Sequence, residues 1–239
     1  MTSGVVRDAG VPEQTRVVSI GRPSWWLMLA SFVAAALITA DLLTGGVLER
    51  LDLRTSEVIG SWELRDSAAY PFVWAVTQLG GRAAILVVLA ILVGYLAWRW
   101  HTWLPLLRVL LALATLTVGV YALKHGTGRT APGHPDEAFF HIDGASFPSG
   151  HVANAVIMWG VARWLAVEYG LPARVQRTFW WLSVAGPVAT GLAMVSLDFH
   201  WVTDAIVGGA VGIVLLGVVH RLDAIVLSRW VRARGRQTA

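Results

Sequence analysis

Long hydrophobic blocks separated by polar segments occupy most of the chain. A transmembrane helix needs about 20 mostly apolar residues. Five blocks clearly meet this requirement, and one more is interrupted by small residues. The pattern therefore predicts an all-α, polytopic membrane protein in which six transmembrane helices form one bundle. The predicted spans are residues 25–43, 83–98, 104–123, 152–167, 179–197 and 205–227.

The segments outside these spans define the rest of the organisation. Residues 1–24 lack a compact apolar core and are predicted to form a cytoplasmic tail, residues 25–230 the membrane domain, and residues 231–239 a basic cytoplasmic tail. Between the first two spans, segment 44–70 mixes hydrophobic and charged residues, which suits an amphipathic helix on the outer membrane surface. A connector is the simpler interpretation of this segment, and a lid or ramp for lipid access is the functional one.

The basic residues predict the orientation of the bundle. Thirteen of the nineteen Lys and Arg residues fall in the two tails or near the span ends of one side. Positive residues near span ends stay cytoplasmic, so both termini are predicted to be cytoplasmic. The segments 44–82, 124–150 and 198–204 then face the outside of the cell membrane.

The composition agrees with lipid as the main solvent of the chain. Hydrophobic residues make up 56% and charged residues 14%, whereas about 25% of a soluble domain is charged. Because there is no cysteine, disulfides, a thiolate nucleophile and a Cys-ligated zinc are excluded. The net charge of +4 is scattered between hydrophobic stretches, so nucleic acid is not a predicted partner.

Polar residues of unusual kinds concentrate in two outward segments, 124–151 and 196–204. Ionisable groups at the edge of a membrane domain are energetically costly, which makes them functional candidates. The first segment ends in Pro-Ser-Gly-His, residues 148–151, directly before an apolar helix. Ser149 is well placed to cap that helix, and Gly150 leaves backbone N–H groups open to an anion. The motif indicates a phosphate cradle, or alternatively an ordinary capped helix followed by a solvated histidine.

Two further pairs of residues extend this picture. His200 and Asp204 are four residues apart at the start of the last span, so on a helix they share a face. A carboxylate bound to one imidazole nitrogen leaves the other nitrogen free as a nucleophile or base, although a satisfied buried pair is the plain alternative.

Lys124 ends the third span, and Arg129 follows in a Gly-rich turn. Both are usual partners of phosphate oxygens, but snorkelling to the membrane surface would equally account for them.

In this order, Lys124, the motif at 148–151 and His-x-x-x-Asp at 200–204 resemble the type 2 phosphatidic acid phosphatase, or lipid phosphate phosphatase, superfamily over roughly residues 70–225. The resemblance implies a membrane phosphatase that needs no metal or other cofactor and forms a phosphohistidine intermediate. The roles that it implies are nucleophile for His200, orienting partner for Asp204, general acid for His151, and phosphate binding for Lys124, Ser149 and Gly150.

Two positions depart from the family pattern. The family usually has arginine where this chain has Ala131, seven residues after Lys124, and where it has Met194, six residues before His200. Loss of one preorganised donor to developing charge costs about 2.7–4 kcal/mol, or roughly 10²–10³ in rate. Arg129 is the predicted substitute for the first arginine, since it lies two residues from Ala131. For the second arginine no single substitute stands out, although nearby side chains could donate to phosphate: His125, His134, His141 and Ser196.

The predicted activity is removal of a terminal phosphate from a phosphorylated membrane lipid at the outer membrane–water interface. Polyprenyl diphosphate is the first expected substrate, followed by phosphatidylglycerol phosphate and phosphatidic acid. The alternative is a degenerate relative that binds lipid phosphate or a protein partner without turnover. A transporter is disfavoured because broken mid-membrane helices and paired half-repeats are not evident. A metal site is disfavoured as well, because the loop residues His134, Asp136, Glu137, His141 and Asp143 match no compact ligand motif.

Overall fold

The computed structural model describes residues 21–135 and 139–227, and every regular element in those ranges is helical. A short 3-10 helix, Leu64–Asp66, precedes α3, and a π-helical turn, Asp223–Leu227, extends α8. Most of both predicted tails, residues 1–20 and 228–239, lies outside the described residues. The α-helices are α1 (Trp25–Leu43), α2 (Val47–Gly60), α3 (Tyr70–Thr77), α4 (Arg82–Trp100), α5 (Leu104–Thr127), α6 (Gly150–Glu168), α7 (Ala173–Ser196) and α8 (Val202–Leu222).

Five of the described helices are long and apolar enough to cross a membrane: α1, α4, α5, α7, and α8 with its extension to Val226. They correspond to five of the six predicted spans. The remaining span, 152–167, lies within α6, which is helical over 19 residues but is not among those five. Thirteen residues of α6 are buried, because α4, α5, α7 and α8 pack around it. A helix that contacts protein rather than lipid can carry polar residues such as Asn154.

Small residues bring the starts of α6 and α8 together. A Cβ atom on Gly208 of α8 would lie only 2.5 Å from the carbonyl oxygen of Ser149, and one on Gly212 would lie 2.8 Å from Cβ of Val156. Glycine at these positions lets the two helix backbones approach closely. At the same contact the Ser149 N–H donates to the Asp204 carbonyl oxygen at 2.9 Å. The Pro-Ser-Gly-His motif and the His-x-x-x-Asp motif are therefore neighbours.

Segment 44–70 is mainly helical, and its helix α2 is anchored in the bundle. Asp41 at the end of α1 caps α2 by accepting from the backbone N–H groups of Val47 (3.1 Å) and Leu48 (2.7 Å). Leu51 and Val58 are exposed, whereas Asp52 and Ile59 are buried on the opposite face. The inward face of α2 thus carries a carboxylate into the protein, where it contacts the residues described next.

A buried charge cluster lies at the end of the bundle opposite to Lys124 and His151. Arg108 of α5 donates to Asp223 (Nε to Oδ1, 2.8 Å) and to Glu168 (Nη1 to Oε1, 2.6 Å), and its guanidinium lies 4.4 Å from the centre of the Trp164 ring. These contacts join α5 to the last turn of α6 and to the turn that follows α8. The cluster is far along the helices from Lys124 and His151, so we assign it a structural role.

Candidate active site

A cavity of about 580 Å³ opens at the end of the bundle where α5 ends and α6 and α8 begin. Lys124, His151 and His200 line it, so that side chains from all three sequence motifs meet in one place. Leu116 and Val120, two turns and one turn before Lys124 on α5, form an apolar wall. The cavity is therefore polar where the three motifs meet and apolar along α5.

His200 and Asp204 make the contact that their spacing predicts. His200 Nδ1 lies 3.3 Å from Oδ2 of Asp204 and 3.1 Å from Oγ of Ser146. Within the described ranges nothing hydrogen-bonds Nε2, and His200 lines the cavity. A histidine held at Nδ1 in this way presents Nε2 as its reactive nitrogen.

Asp204 is a wholly buried carboxylate whose two oxygens are occupied by donors. Its Oδ2 also accepts from the Trp201 N–H at 3.2 Å and from the Ser146 hydroxyl in a short hydrogen bond. Its Oδ1 accepts from Nη1 of Arg129 at 2.8 Å. Buried charges persist when they are paired and hydrogen-bonded, so this set of donors keeps Asp204 ionised and fixed beside His200.

Arg129 does not line the cavity, where binding of phosphate would require it to be. Its side chain is 5% exposed and is not among the residues that line the cavity. Besides Asp204, the guanidinium binds Oδ2 of Asp52 through Nη2 at 2.9 Å and Oγ1 of Thr203 through Nη1 at 2.8 Å. The reason for this placement is that two buried carboxylates flank it and use its donors. Arg129 thus contacts Asp204 rather than the cavity, so we expect it to position that carboxylate, and phosphate binding by Arg129 stays a prediction.

Asp52 on α2 completes this buried network and was missed by the sequence analysis. Its Oδ1 accepts from the Thr203 N–H at 3.1 Å, and its Oδ2 accepts from the Thr203 hydroxyl in a short hydrogen bond. The carboxylate thus holds the first turn of α8 at Thr203, the residue directly before Asp204. One signal was present in the sequence: Asp52 and Ile59 are seven residues apart, so they share the inward face of α2.

Arg65 supports the backbone just before His200. Its Nε donates to the Leu197 carbonyl oxygen and its Nη2 to the Asp198 carbonyl oxygen, both at 2.6 Å. Its guanidinium also lies 4.8 Å from the centre of the Phe199 ring. Asp198 has a positive φ of 54°, a conformation that costs free energy for a non-glycine residue. Arg65 stabilises this turn and with it the position of His200.

Lys124, Gly150 and Ser149 form the part of the site expected to hold phosphate. The Lys124 ammonium donates to the Ala145 carbonyl oxygen in a short hydrogen bond, and Cε of Lys124 lies 3.6 Å from where a Cβ on Gly150 would be. Ser149 is the N-cap residue of α6 as predicted, but its hydroxyl makes no capping bond. That hydroxyl is buried, without a partner among the described residues, below a cavity lined by Gly150.

His151 is half-buried on the first turn of α6, just outside the predicted span. Burial lowers the pKa of its imidazole, and the nearby His200, Lys124 and Arg82 lower that pKa further. The empty site therefore favours neutral His151. A bound phosphate dianion acts in the opposite direction and favours the protonated form, which is the form that can donate a proton.

Four of the remaining sequence candidates line the cavity. Ala131 and Met194, which replace the two family arginines, both line the cavity, as do His134 and Asp143. Asp136 and Glu137 lie outside the described residues. Within the described part of the chain no three His, Asp or Glu side chains are grouped closely enough to hold a metal ion.

Known proteins resemble the chain in both sequence and fold. The sequence profile of the PAP2 superfamily matches residues 105–225, which include all three motifs. Phosphatidylglycerophosphatase B of Bacillus subtilis (strain 168) is 29% identical over 150 residues, which is 62% of this chain and 72% of that protein. The fold is similar to the crystal structure of a transmembrane PAP2-type phosphatidylglycerolphosphate phosphatase from Bacillus subtilis, with a TM-score of 0.68, 22% identity, and coverage of 84% of this chain and 98% of that one.

Proposed function

The chain belongs to the PAP2 superfamily and is a membrane-embedded phosphoric-ester hydrolase, and from this premise we propose that it removes the terminal phosphate of a membrane lipid through a phosphohistidine on His200. One observation carries the proposal. His200 is held at Nδ1 by a buried carboxylate and lines the same cavity as His151 and Lys124.

The proposed reaction has two balanced steps. In the first, Nε2 of His200 attacks phosphorus, the bond to the leaving oxygen breaks, and protonated His151 donates its proton to that oxygen. In the second, water attacks the phosphohistidine while His151 accepts a proton from that water. Inorganic phosphate then leaves, and His200 is regenerated. Asp204 stabilises the positive charge on His200 in both steps.

Phosphate oxygens would be bound at the outer end of the cavity. Lys124 supplies a point charge there, and the N-terminus of α6 presents the Gly150 backbone N–H. Met194, Leu116 and Val120 form the apolar part of the lining, against which a lipid tail would pack while it remains in the bilayer. The Lys and Arg distribution supports a cavity that faces outward.

Phosphatidylglycerol phosphate is the first substrate to test, because the sequence relative from Bacillus subtilis is a phosphatidylglycerophosphatase. Polyprenyl diphosphate and phosphatidic acid follow. The test measures phosphate release from each lipid by the purified full chain in detergent, with His200→Gln as the inactive control. Equal release by the parent protein and this variant would overturn the catalytic assignment.

The alternative that the sequence raised is a relative that binds lipid phosphate without turnover, since Ala131 and Met194 leave the cavity without the two family arginines. Convergence of His200, His151 and Lys124 favours turnover over binding alone. A turnover number of roughly 1 s⁻¹ or more, within the ordinary range of enzymes, would exclude the binding hypothesis. A much lower rate that rises sharply in Met194→Arg would support it.

We expect the loss of activity in His151→Gln to depend on the leaving group of the substrate. General-acid catalysis contributes about 10²–10⁴-fold, so hydrolysis of the lipid phosphate should fall by about that factor. Para-nitrophenyl phosphate should lose much less activity, since its leaving oxygen needs no proton. An equal loss on both substrates would contradict the role of His151 as the acid.

The same assignment predicts the pH dependence of the parent enzyme. The acid must be protonated in the free enzyme, so kcat/KM should fall as pH rises through the pKa of His151. That pKa lies below its ordinary value of 6.5 because of burial and the neighbouring cations, so the decline should begin in the mildly acidic range. Initial rates at a series of pH values test this, and a kcat/KM that rises steadily from pH 5 to pH 8 would contradict it.

We expect orthovanadate to inhibit and a chelator to have no effect. Vanadate can form a five-coordinate adduct with an imidazole nitrogen, which mimics phosphorus during transfer to His200. Competitive inhibition against the lipid, measured before and after dialysis against EDTA, checks both expectations. Strong loss of activity after EDTA, with recovery on adding back a divalent ion, would contradict the metal-independent mechanism.

A further inference from the structure

The cavity has few permanent positive charges for a site that binds a phosphate dianion. The positions of the two family arginines, Ala131 and Met194, line it but carry no charge. Arg129 is held by two carboxylates outside the lining. Among the described residues that line the cavity, the Lys and Arg side chains are Lys124 and Arg82.

A turn that ends in two glycines fixes the position of Arg82. The Leu79 carbonyl oxygen accepts from Nε1 of Trp159 at 2.7 Å, and the Gly80 carbonyl oxygen accepts from Nδ2 of Asn154 at 2.8 Å. A Cβ on Gly80 would lie 2.5 Å from the His151 carbonyl oxygen, so only glycine allows this contact with α6. Helix α4 then begins at Arg82. The turn therefore holds Arg82 beside the first turn of α6.

The guanidinium of Arg82 is available to a ligand. The residue is exposed, and it has no hydrogen bond or salt bridge with any residue in the ranges 21–135 and 139–227. Its charge nevertheless acts on His151, whose pKa it lowers together with Lys124 and His200. By contrast, Arg65 and Arg129 use their donors on backbone or carboxylate oxygens. Arg82 thus carries a positive charge near the proposed acid and has no competing partner in the described part of the chain.

We propose that Arg82 binds the substrate phosphate and takes over the function of the arginines that are missing at positions 131 and 194. This inference rests on the proposed function. A guanidinium can donate two parallel hydrogen bonds to phosphate oxygens, which a lysine cannot do. Arg82 and Lys124 would then hold the phosphate from two sides, in line with Nε2 of His200.

The test compares Arg82→Gln with Arg54→Gln. Arg54 is also exposed but lies on α2 and does not line the cavity, so its variant controls for loss of one outer positive charge. We expect kcat/KM for phosphatidylglycerol phosphate to fall by about 10²–10³ in Arg82→Gln and to stay near the parent value in Arg54→Gln. Arg82→Lys should recover only part of the loss, because lysine lacks the two-pronged geometry.

Orthovanadate binding, measured by calorimetry on the full chain, separates this inference from the proposed function. Weaker vanadate binding in Arg82→Gln, with the thermal unfolding temperature of the parent, supports a direct contact. Parent-like vanadate binding in that variant overturns the inference even if the parent hydrolyses lipid. If the parent binds vanadate but releases no phosphate from any of the three lipids, the proposed function fails. The contact between Arg82 and the anion is then tested only by comparing vanadate binding of the parent and Arg82→Gln.

A rescue experiment tests whether Arg82 replaces a family arginine. Met194 lines the same cavity from α7, so Met194→Arg returns a guanidinium to that wall. We expect this change to raise kcat/KM more in the Arg82→Gln background than in the parent, since only the former lacks the charge. An equal fold-change in both backgrounds would show that the two positions act independently and would overturn the replacement.

Discussion

Replacing His200 with glutamine is expected to lower kcat by about 10⁴-fold or more. Loss of one member of a nucleophile–base unit costs about 10⁴–10⁶ in other hydrolases, and glutamine cannot attack phosphorus. In the parent, Oδ2 of Asp204 and Oγ of Ser146 hold the ring at Nδ1, which leaves Nε2 for the attack. Initial rates of phosphate release measure the loss, and a brief reaction with ³²P-labelled substrate, quenched in alkali, tests for the phosphohistidine directly.

The matched control for this variant is His125→Gln. His125 is exposed at the end of α5 and does not line the cavity, so the same chemical change there should leave the rate and the labelling unchanged. Protein-bound label should appear in the parent and in the control but not in His200→Gln. Labelling that persists in His200→Gln would place the nucleophile on another residue.

Arg129→Met is expected to destabilise the protein and to inactivate it. The guanidinium separates two buried carboxylates, with 2.8 Å to Asp204 and 2.9 Å to Asp52. Removing one partner of a buried ion pair costs about 3–5 kcal/mol because the other charge is left uncompensated. We therefore expect a clear fall in the thermal unfolding temperature, together with a lower kcat because Asp204 no longer orients His200. A phosphate-binding role would instead raise KM and leave the unfolding temperature unchanged.

The double variant with Asp52→Asn sharpens this prediction. Removing the Asp52 charge as well leaves one unpaired carboxylate instead of two, so the double variant should be more stable than the sum of the two single changes implies. The unfolding temperatures of the parent, the two single variants and the double variant provide this comparison. Additive effects, with parent-like kcat in Arg129→Met, would contradict the positioning role.

Most of the helical fold was predictable because lipid constrains sequence strongly. A chain in hydrocarbon must satisfy its backbone hydrogen bonds internally, so each long apolar block becomes a helix, and α1 begins and ends where the pattern predicts. The helix α6 shows the limit of this argument. It is surrounded by other helices. Hydropathy measures how favourably a segment transfers into lipid, so it does not show that a helix is buried inside the protein.

The candidate site was predictable only where its residues are close in sequence. The contact between His200 and Asp204 follows from the helical period. Ser146, Asp52 and Arg65 belong to separate segments and reach the site through tertiary contacts. Side chains of these types are common on surfaces, so no local pattern distinguishes Ser146 or Arg65, and the only local signal for Asp52 is its helical spacing from Ile59.

The membrane helices, the three motifs and the family to which they belong could be read from the chain alone, because hydropathy and residue spacing act over short distances along it. Which arginine faces the cavity depends instead on how distant segments pack. Arg129 is two residues from Ala131 in sequence but lies between Asp52 and Asp204, whereas Arg82 is distant in sequence and lines the cavity. The physical reason is that a buried carboxylate requires a partner, and the packing of α2 against α8 sets which cation supplies it.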